Sequence, residues 1–355
     1  MTDILNNREA IHKLDSGNML GSLQLLSEQI KEVEMNAKSL RVPANYRLVK
    51  NIIVAGMGGS ALGSHIIKSV YKDYLSVPFE IVNDYTLPDF VNSSTLLIIS
   101  SYSGTTEESI AAFKQARAKK AKMLVICAGG DLEKMAKRFK VPTLIFTTKN
   151  NPCGSPRMGL GYSIFGQLWL LAKAGVITYT SEHAEKLIKI IHTYETQYGV
   201  NTVDNLVKQM ARSAEDRSIW YVASEHLVGN AHAAANQMNE NAKRFSGYYT
   251  LPELNHHLLE GMKHPKDNAS NLLFIFLESK LYGKRTQKRY AITKKVLEQN
   301  KIPYLSYLCD EKTALGQATE ALVMGSYLSF YLAMLEGIDP TAIPFVDYFK
   351  SEMKK

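Results

Sequence analysis

The sequence predicts an α/β protein made of two doubly wound parallel-sheet domains in tandem, each an αβα sandwich. Three observations carry that prediction. Short apolar runs without alternation, such as Leu96-Leu97-Ile98-Ile99, match strands buried on both faces of a parallel sheet. Several such runs lead through a turn into a stretch of helical periodicity, which is the rhythm of βαβ units. The rhythm also occurs twice: Ile52-Ile53-Val54-Ala55-Gly56 precedes a helix in the first half, and Trp220-Tyr221-Val222-Ala223-Ser224 precedes one in the second.

In chain order, residues 1–45 place Met19, Leu20, Leu23, Leu25, Leu26 and Ile30 at helical spacing among charges, and read as a helical extension packed on the first domain. The first domain, 46–180, is expected to run strand 52–55, helix 60–71, strands 79–82 and 96–100, and a helix from Thr105 to Lys119. Strand 123–127, helix 132–139, strand 143–146 and a long helix 161–174 complete it. Residues 181–217 are charged and helical, a connection between the halves. The second domain, 218–355, restarts with strand 219–223 and a helix to Lys243, then strand 272–276, helix 287–299, strand 303–308, helix 315–335 and a closing segment 339–349.

At 355 residues and 45% hydrophobic content the chain has enough apolar material for two cores. The formal net charge of +8 favours anionic ligands, but Lys and Arg are scattered rather than gathered with aromatics, which argues against a nucleic-acid surface. Cys127, Cys153 and Cys309 are odd in number and lack metal-ligand spacing, as in a cytoplasmic protein with reduced thiols. His226, His232, His256, His257 and His264 also lack the pair spacing of common zinc sites, so no metal is expected. The N-terminal run has no signal-peptide pattern, and no segment is expected to be long and apolar enough to span a bilayer.

Two loops stand out. Ser100-Ser101-Tyr102-Ser103-Gly104-Thr105-Thr106-Glu107-Glu108 joins a strand to a helix through a nest of hydroxyls, with Thr105 and Glu108 spaced as a capping box. Gly56-Met57-Gly58-Gly59-Ser60-Ala61-Leu62-Gly63 follows a strand and opens a helix, so its backbone can approach an anion. Each has an ordinary alternative: a capped turn for the first, and a loose dinucleotide pattern for the second, with Asp84 after the next strand. Together, at neighbouring strand ends, they read as a cradle for a phosphate monoester.

The Gly-Met-Gly-Gly-Ser loop followed by Ser-Tyr-Ser-Gly-Thr-Thr-Glu resembles the sugar isomerase (SIS) domain superfamily. Pro156-Arg157, Asn239-Glu240-Asn241 and Asn255-His256 further resemble the bifunctional phosphoglucose/phosphomannose isomerases, over nearly all of the chain after about residue 45. That resemblance implies a cytoplasmic, cofactor-independent aldose–ketose isomerase, with Gly58, Gly59, Ser60, Ser101, Ser103 and Thr106 holding the substrate phosphate. It also implies Glu240 as the proton-shuttling base and Arg157 as the guanidinium beside the enediolate. His256, with His257 as the fallback, would open the sugar ring, and Lys350 of Val346-Asp347-Tyr348-Phe349-Lys350 would contact it. In related isomerases the histidine comes from the partner subunit, which implies a homodimer with shared sites. Independently of the resemblance, His232, Asn236 and Glu240 recur at i, i+4 and i+8 among small alanines, one crowded helix face. Two other readings keep the fold: isomerisation of a different sugar phosphate, and a phosphosugar-sensing regulator without turnover. The first 45 residues do not make a convincing DNA-binding helix-turn-helix.

Overall fold

The computed structural model describes residues 3–353 and Lys355; Met1, Thr2 and Lys354 lie outside the described residues. Helices α1 (Arg8–Leu14), α2 (Met19–Gln24) and α3 (Leu26–Ser39) precede the first sheet. That sheet holds β1 (Asn51–Ala55), β2 (Phe79–Val82), β3 (Thr95–Ser101), β4 (Lys122–Cys127) and β5 (Thr143–Ile145). Between its strands run α4 (Gly59–Tyr71), α5 (Glu107–Ala118) and α6 (Gly130–Arg138). A 3-10 turn at Pro156–Met158 and a π-helical turn at Gly161–Phe165 lead into α7 (Gly166–Lys173), and α8 (Ser181–Tyr198) and α9 (Leu206–Ser213) cross to the second half. There β6 (Ser218–Ala223), α10 (Val228–Asn241), β7 (Ser246–Thr250), α11 (Leu254–His257), α12 (Asn268–Asn271) and β8 (Leu272–Ser279) come first. α13 (Lys284–Gln299), β9 (Tyr304–Cys309), α14 (Ala314–Leu335) and α15 (Pro344–Glu352) follow.

Both sheets are parallel throughout, in the orders β2-β1-β3-β4-β5 and β7-β6-β8-β9. β3 is central and wholly buried, with Leu97 paired to Ile53 on one side and Met123 on the other. An uninterrupted apolar run is what such a strand requires. In each sheet the strand order reverses beside the first strand, at β1/β3 and at β6/β8, and ligands of open α/β sheets bind in the crevice at that reversal.

Four expectations are corrected. The second sheet has an additional edge strand, β7, whose Ser-Gly-Tyr-Tyr-Thr is half-buried along its length and so shows no apolar run. The N-terminal extension is three helices rather than one stretch, and it packs on α7 and α8 and on α14 of the second half as well as on the first sheet. The Thr105–Glu108 capping box does not form: α5 begins at Glu107 behind Thr106, which makes no side-chain cap bond. Finally, α14 is long and apolar enough to cross a membrane by length and composition, but 94% of that window is buried within the protein, where it serves as a core helix.

The two halves meet along α4, α10 and α14. A Cβ at Gly229 would lie 2.3 Å from the His65 carbonyl oxygen, so α10 crosses α4 at a distance only glycine permits. Ala231, Ala233, Ala234 and Ala235 are all buried, which explains the alanine richness of α10 as close helix packing. At the same crossing the His65 and His232 rings meet edge to face at 4.3 Å, and His232 stacks on Tyr248 at 4.8 Å. Burial, with the nearby His232 and Lys68, pushes His65 down to about 4 from 6.5. As pH falls below 6.5 the unfolded chain takes up this proton first, so the stability attached to neutral His65 is present above that pH and lost toward pH 4. In unfolding titrations at pH 7 and 4.5, His65→Phe is expected to make the loss of stability between the two pH values smaller than in the native protein by on the order of 2 kcal/mol.

Candidate active site

Both loops singled out in the sequence lie at the β1/β3 reversal. Gly58 takes φ +48° and leads into α4 with no side-chain cap, and Gly104 takes φ +71° where a Cβ would overlap the Gly129 carbonyl oxygen. Neither α4 nor α5 spends a side chain on capping; in α4 the Ser60 and Ala61 N–H groups turn back to the Met57 and Gly58 carbonyls at 3.1 and 2.9 Å, which leaves the Gly59 N–H of α4 and the first turn of α5 open to an anion. The hydroxyls divide into two groups. Ser60 and Ser101 are buried and hold the loops: Ser60 Oγ accepts from Tyr102 N at 2.8 Å, and Ser101 Oγ accepts from Gly104 N at 3.0 Å. Ser101 also donates to Thr106 Oγ1 at 3.0 Å, leaving the proton of half-exposed Thr106 free to point outward. Ser103 is exposed and accepts from both the amide and the hydroxyl of Thr105, at 3.2 and 3.0 Å, so its own proton is likewise free.

The corresponding β6/β8 crevice in the second half is filled by its own side chains. Gln317 Oε1 accepts from Ser279 at 2.6 Å and meets His226 Nε2 at 2.7 Å, while Tyr282 packs on the His226 ring at 5.3 Å. Gln317 Nε2 donates to the Glu311 carbonyl at 2.8 Å, and buried Ser224 at the end of β6 donates to the Leu251 carbonyl at 3.0 Å, so these buried polar groups are met within the fold.

Arg157 sits on the 3-10 turn directly against the glycine-rich loop. A Cβ on Gly59 would be 2.6 Å from the Pro156 carbonyl carbon and 2.7 Å from Arg157 N. The Arg157 side chain is 1% exposed and reaches Glu240, 35% exposed, at 3.1 Å from Nη1. Its Nε donates to Asn241 Oδ1 at 2.6 Å, and Nη2 donates to the carbonyls of Pro340 and Thr341 at 2.9 and 3.1 Å. Burial alone lowers the Arg157 pKa, and the neighbouring Glu240 carboxylate opposes that, so the ion pair stabilises the charged form in its buried setting. Four of five guanidinium protons are thereby assigned, and the fifth is on Nη1, the nitrogen that faces Glu240. Lys243, in the left-handed region at φ +51°, donates to the carbonyls of Glu240, Asn241, Asp339 and Pro340 at 2.9 to 3.2 Å. This ties the end of α10 to the 339–341 segment.

His232, Asn236 and Glu240 form the half-exposed stripe of α10 that their spacing predicts. His256 and Lys350 are not drawn into the cluster: both are exposed, on α11 and α15, and neither makes a side-chain hydrogen bond or ion pair among the described residues. His257 donates locally from Nδ1 to the Glu253 carbonyl at 2.9 Å. Asn241 belongs to a motif quoted from the sequence but without a role there, and Pro340 and Thr341 escaped sequence reasoning because they meet Arg157 through backbone carbonyls that any residue carries. A cavity of about 1030 Å³ lies elsewhere, between the end of α4, α8 and the loop into α14. Its lining mixes Tyr71, Tyr74, Ile177 and Leu187 with Lys186, Lys189 and Lys312, and it lies away from the β1/β3 reversal where the two loops meet.

Residues 46–141 match the SIS domain model, and residues 203–353 match that of the bacterial phospho-glucose isomerase C-terminal SIS domain. A bifunctional phosphoglucose/phosphomannose isomerase of Caldicellulosiruptor bescii is 30% identical over 94% of this chain and 98% of its own. Another, of Aquifex aeolicus, is 29% identical over 86% of this chain and 91% of its own. Among solved structures, a hypothetical protein of Thermus thermophilus superposes with a TM-score of 0.73 at 16% identity, covering 98% of this chain and 93% of that one, which bears on the fold.

The free Ser103 proton gives the loop a direct test. Ser103→Ala is expected to weaken binding of inorganic phosphate by about 1–3 kcal/mol, the scale of a hydrogen bond to a charged group. Calorimetry showing unchanged affinity would return the loop to an ordinary turn.

Proposed function

The chain belongs to the bifunctional phosphoglucose/phosphomannose isomerase family, and from that premise we propose that it interconverts glucose 6-phosphate and mannose 6-phosphate with fructose 6-phosphate. The reaction moves a proton between C1 and C2 through an enediolate. The observation that carries this reading is the Arg157–Glu240 pair at 3.1 Å, a half-exposed carboxylate held by a buried guanidinium against an uncapped phosphate loop.

Each residue then has a task. Gly58, Gly59, Ser60, Ser101, Ser103 and Thr106 form the phosphate cradle. Ser103, Thr106 and the open helix N-termini make the direct contacts, while Ser60 and Ser101 fix the loops. Binding at the phosphate, remote from the reacting carbons, holds C1 and C2 at the carboxylate. Glu240 takes the proton from C2 of the aldose and returns it to C1, and the reverse direction uses the same positions. As negative charge grows on the enediolate oxygens, the remaining Nη1 proton of Arg157 and its fixed positive charge stabilise it without reorganisation. His256 opens the ring, with His257 as the fallback, and Lys350 contacts the sugar.

His256 and Lys350 are exposed here, and α15 presents Phe345, Tyr348 and Phe349 at 87%, 66% and 62% exposure. Those exposed groups support a homodimer in which a second copy closes the site with its own His256; a cytoplasmic location is proposed with it from the family alone. Residues 46–180 and 218–355 are proposed as the two domains, joined by 181–217 and preceded by the extension 1–45.

Glu240→Gln keeps the hydrogen-bonding shape but not the base. It is expected to bind fructose 6-phosphate near normally while losing exchange of the C2 proton with solvent, read by NMR in deuterium oxide; retained exchange moves the base elsewhere. Mixing Glu240→Gln with His256→Ala, each inactive alone, is expected to restore about a quarter of native activity, since half the dimers are mixed and each carries one intact site. No recovery would mean that both groups act from one chain.

A further inference from the structure

The N-terminal helices carry no motif of the family resemblance, yet α3 turns three polar side chains onto the segment bearing Arg157. Gln29, wholly buried, accepts from Gly161 N at 3.0 Å through Oε1, and its Nε2 donates to the carbonyls of Asn150 and Met158, both at 3.0 Å. Glu32, 5% exposed, accepts from Thr147 N at 2.5 Å and its hydroxyl at 2.7 Å, from Asn150 Nδ2 at 2.8 Å and from the Tyr162 hydroxyl at 3.2 Å. Asn36 donates to the Ile145 carbonyl at 2.8 Å. On the opposite side, buried Gln237 of α10 donates to the Arg157 carbonyl at 3.1 Å and accepts from the Ser326 hydroxyl at 3.1 Å. Two successive carbonyls, of Arg157 and Met158, are thus held from two directions by two buried amides.

That arrangement matters because residues 146–160 have little regular structure of their own. Between β5 and the π-helical turn they contain only the 3-10 turn at Pro156–Met158, with glycines at 154 and 159 and prolines at 152 and 156. No sheet ladder fixes the height of Arg157 above the strand ends. The amide of Gln29 spans the segment from Asn150 to Gly161 and closes it into a loop of defined size.

We propose that Gln29, backed by Glu32, is a positioning residue for the isomerisation: it fixes the 147–161 segment so that the Arg157 guanidinium stands where the enediolate charge develops. The inference rests on the reading of Arg157 given above. Removing the amide leaves two carbonyls and one N–H unpaired in a buried place, so the segment shifts to find other partners. A shift of about 1 Å is enough to cost up to about 100-fold in rate while leaving remote phosphate contacts in place.

A double-mutant cycle tests this. Gln29→Met is expected to lower kcat by about 10- to 100-fold with KM for fructose 6-phosphate changed less than about threefold. In an Arg157→Met background the same substitution is expected to cost less than about twofold, because the residue it positions is gone. An unchanged kcat, or an equal fold-loss in both backgrounds, overturns the proposal while leaving Arg157 in its role. A native kcat for Arg157→Met overturns the reading of Arg157 and the proposal with it. Should Gln29→Met not fold, Gln29→Asn, whose intact amide falls one methylene short, carries the same cycle with the same outcomes.

Discussion

A guanidinium taken out of water must have its charge and its donors met, and at Arg157 this requirement draws the distant parts of the chain together. Glu240 and Asn241 come from the end of α10, the two carbonyls from the 339–341 segment, and the backbone is held by Gln29 from α3 and Gln237 from α10. A buried ion pair by itself contributes little net stability, because desolvation offsets the Coulomb attraction. Surrounded by satisfied neighbours it instead dictates arrangement: any packing of the halves that separates these partners leaves a buried charge uncompensated.

The same constraint accounts for the close crossings around it. Gly59 lets the glycine-rich loop touch the Arg157 backbone, and Gly229 with the buried alanines lets α10 lie against α4. Glu240 is therefore carried on a helix clamped between the two halves, a rigid mount of the kind the proposed proton transfer needs.

Much of this was legible in the sequence, for identifiable reasons. The inner strands of the first sheet announced themselves because burial on both faces demands uninterrupted apolar runs, as in Leu96–Ile99. β7 did not, since an edge strand half in water needs no such run. The hydroxyl loop was legible as chemistry but its helix start was misread: Thr105 and Glu108 have the spacing of a capping box, and the backbone instead leaves the helix end open. Glu240 and Arg157 were reached through resemblance. Gln29 and Gln237 were not reached, because a buried glutamine is distinguished only by the carbonyls it meets, which lie some 80 to 130 residues away in the chain.

The filled β6/β8 crevice has a consequence for stoichiometry. A duplicated fold would ordinarily offer two equivalent anion sites per chain, and a ligand spread between them would give half-productive complexes. With Gln317 Oε1 taken by Ser279 and His226 and its Nε2 by the Glu311 carbonyl, the second crevice presents no comparable hydroxyl loop among the described residues. Under the proposed function each chain then takes a single sugar phosphate, and the pseudo-symmetry of the fold is broken by side chains as well as by the unequal five- and four-stranded sheets.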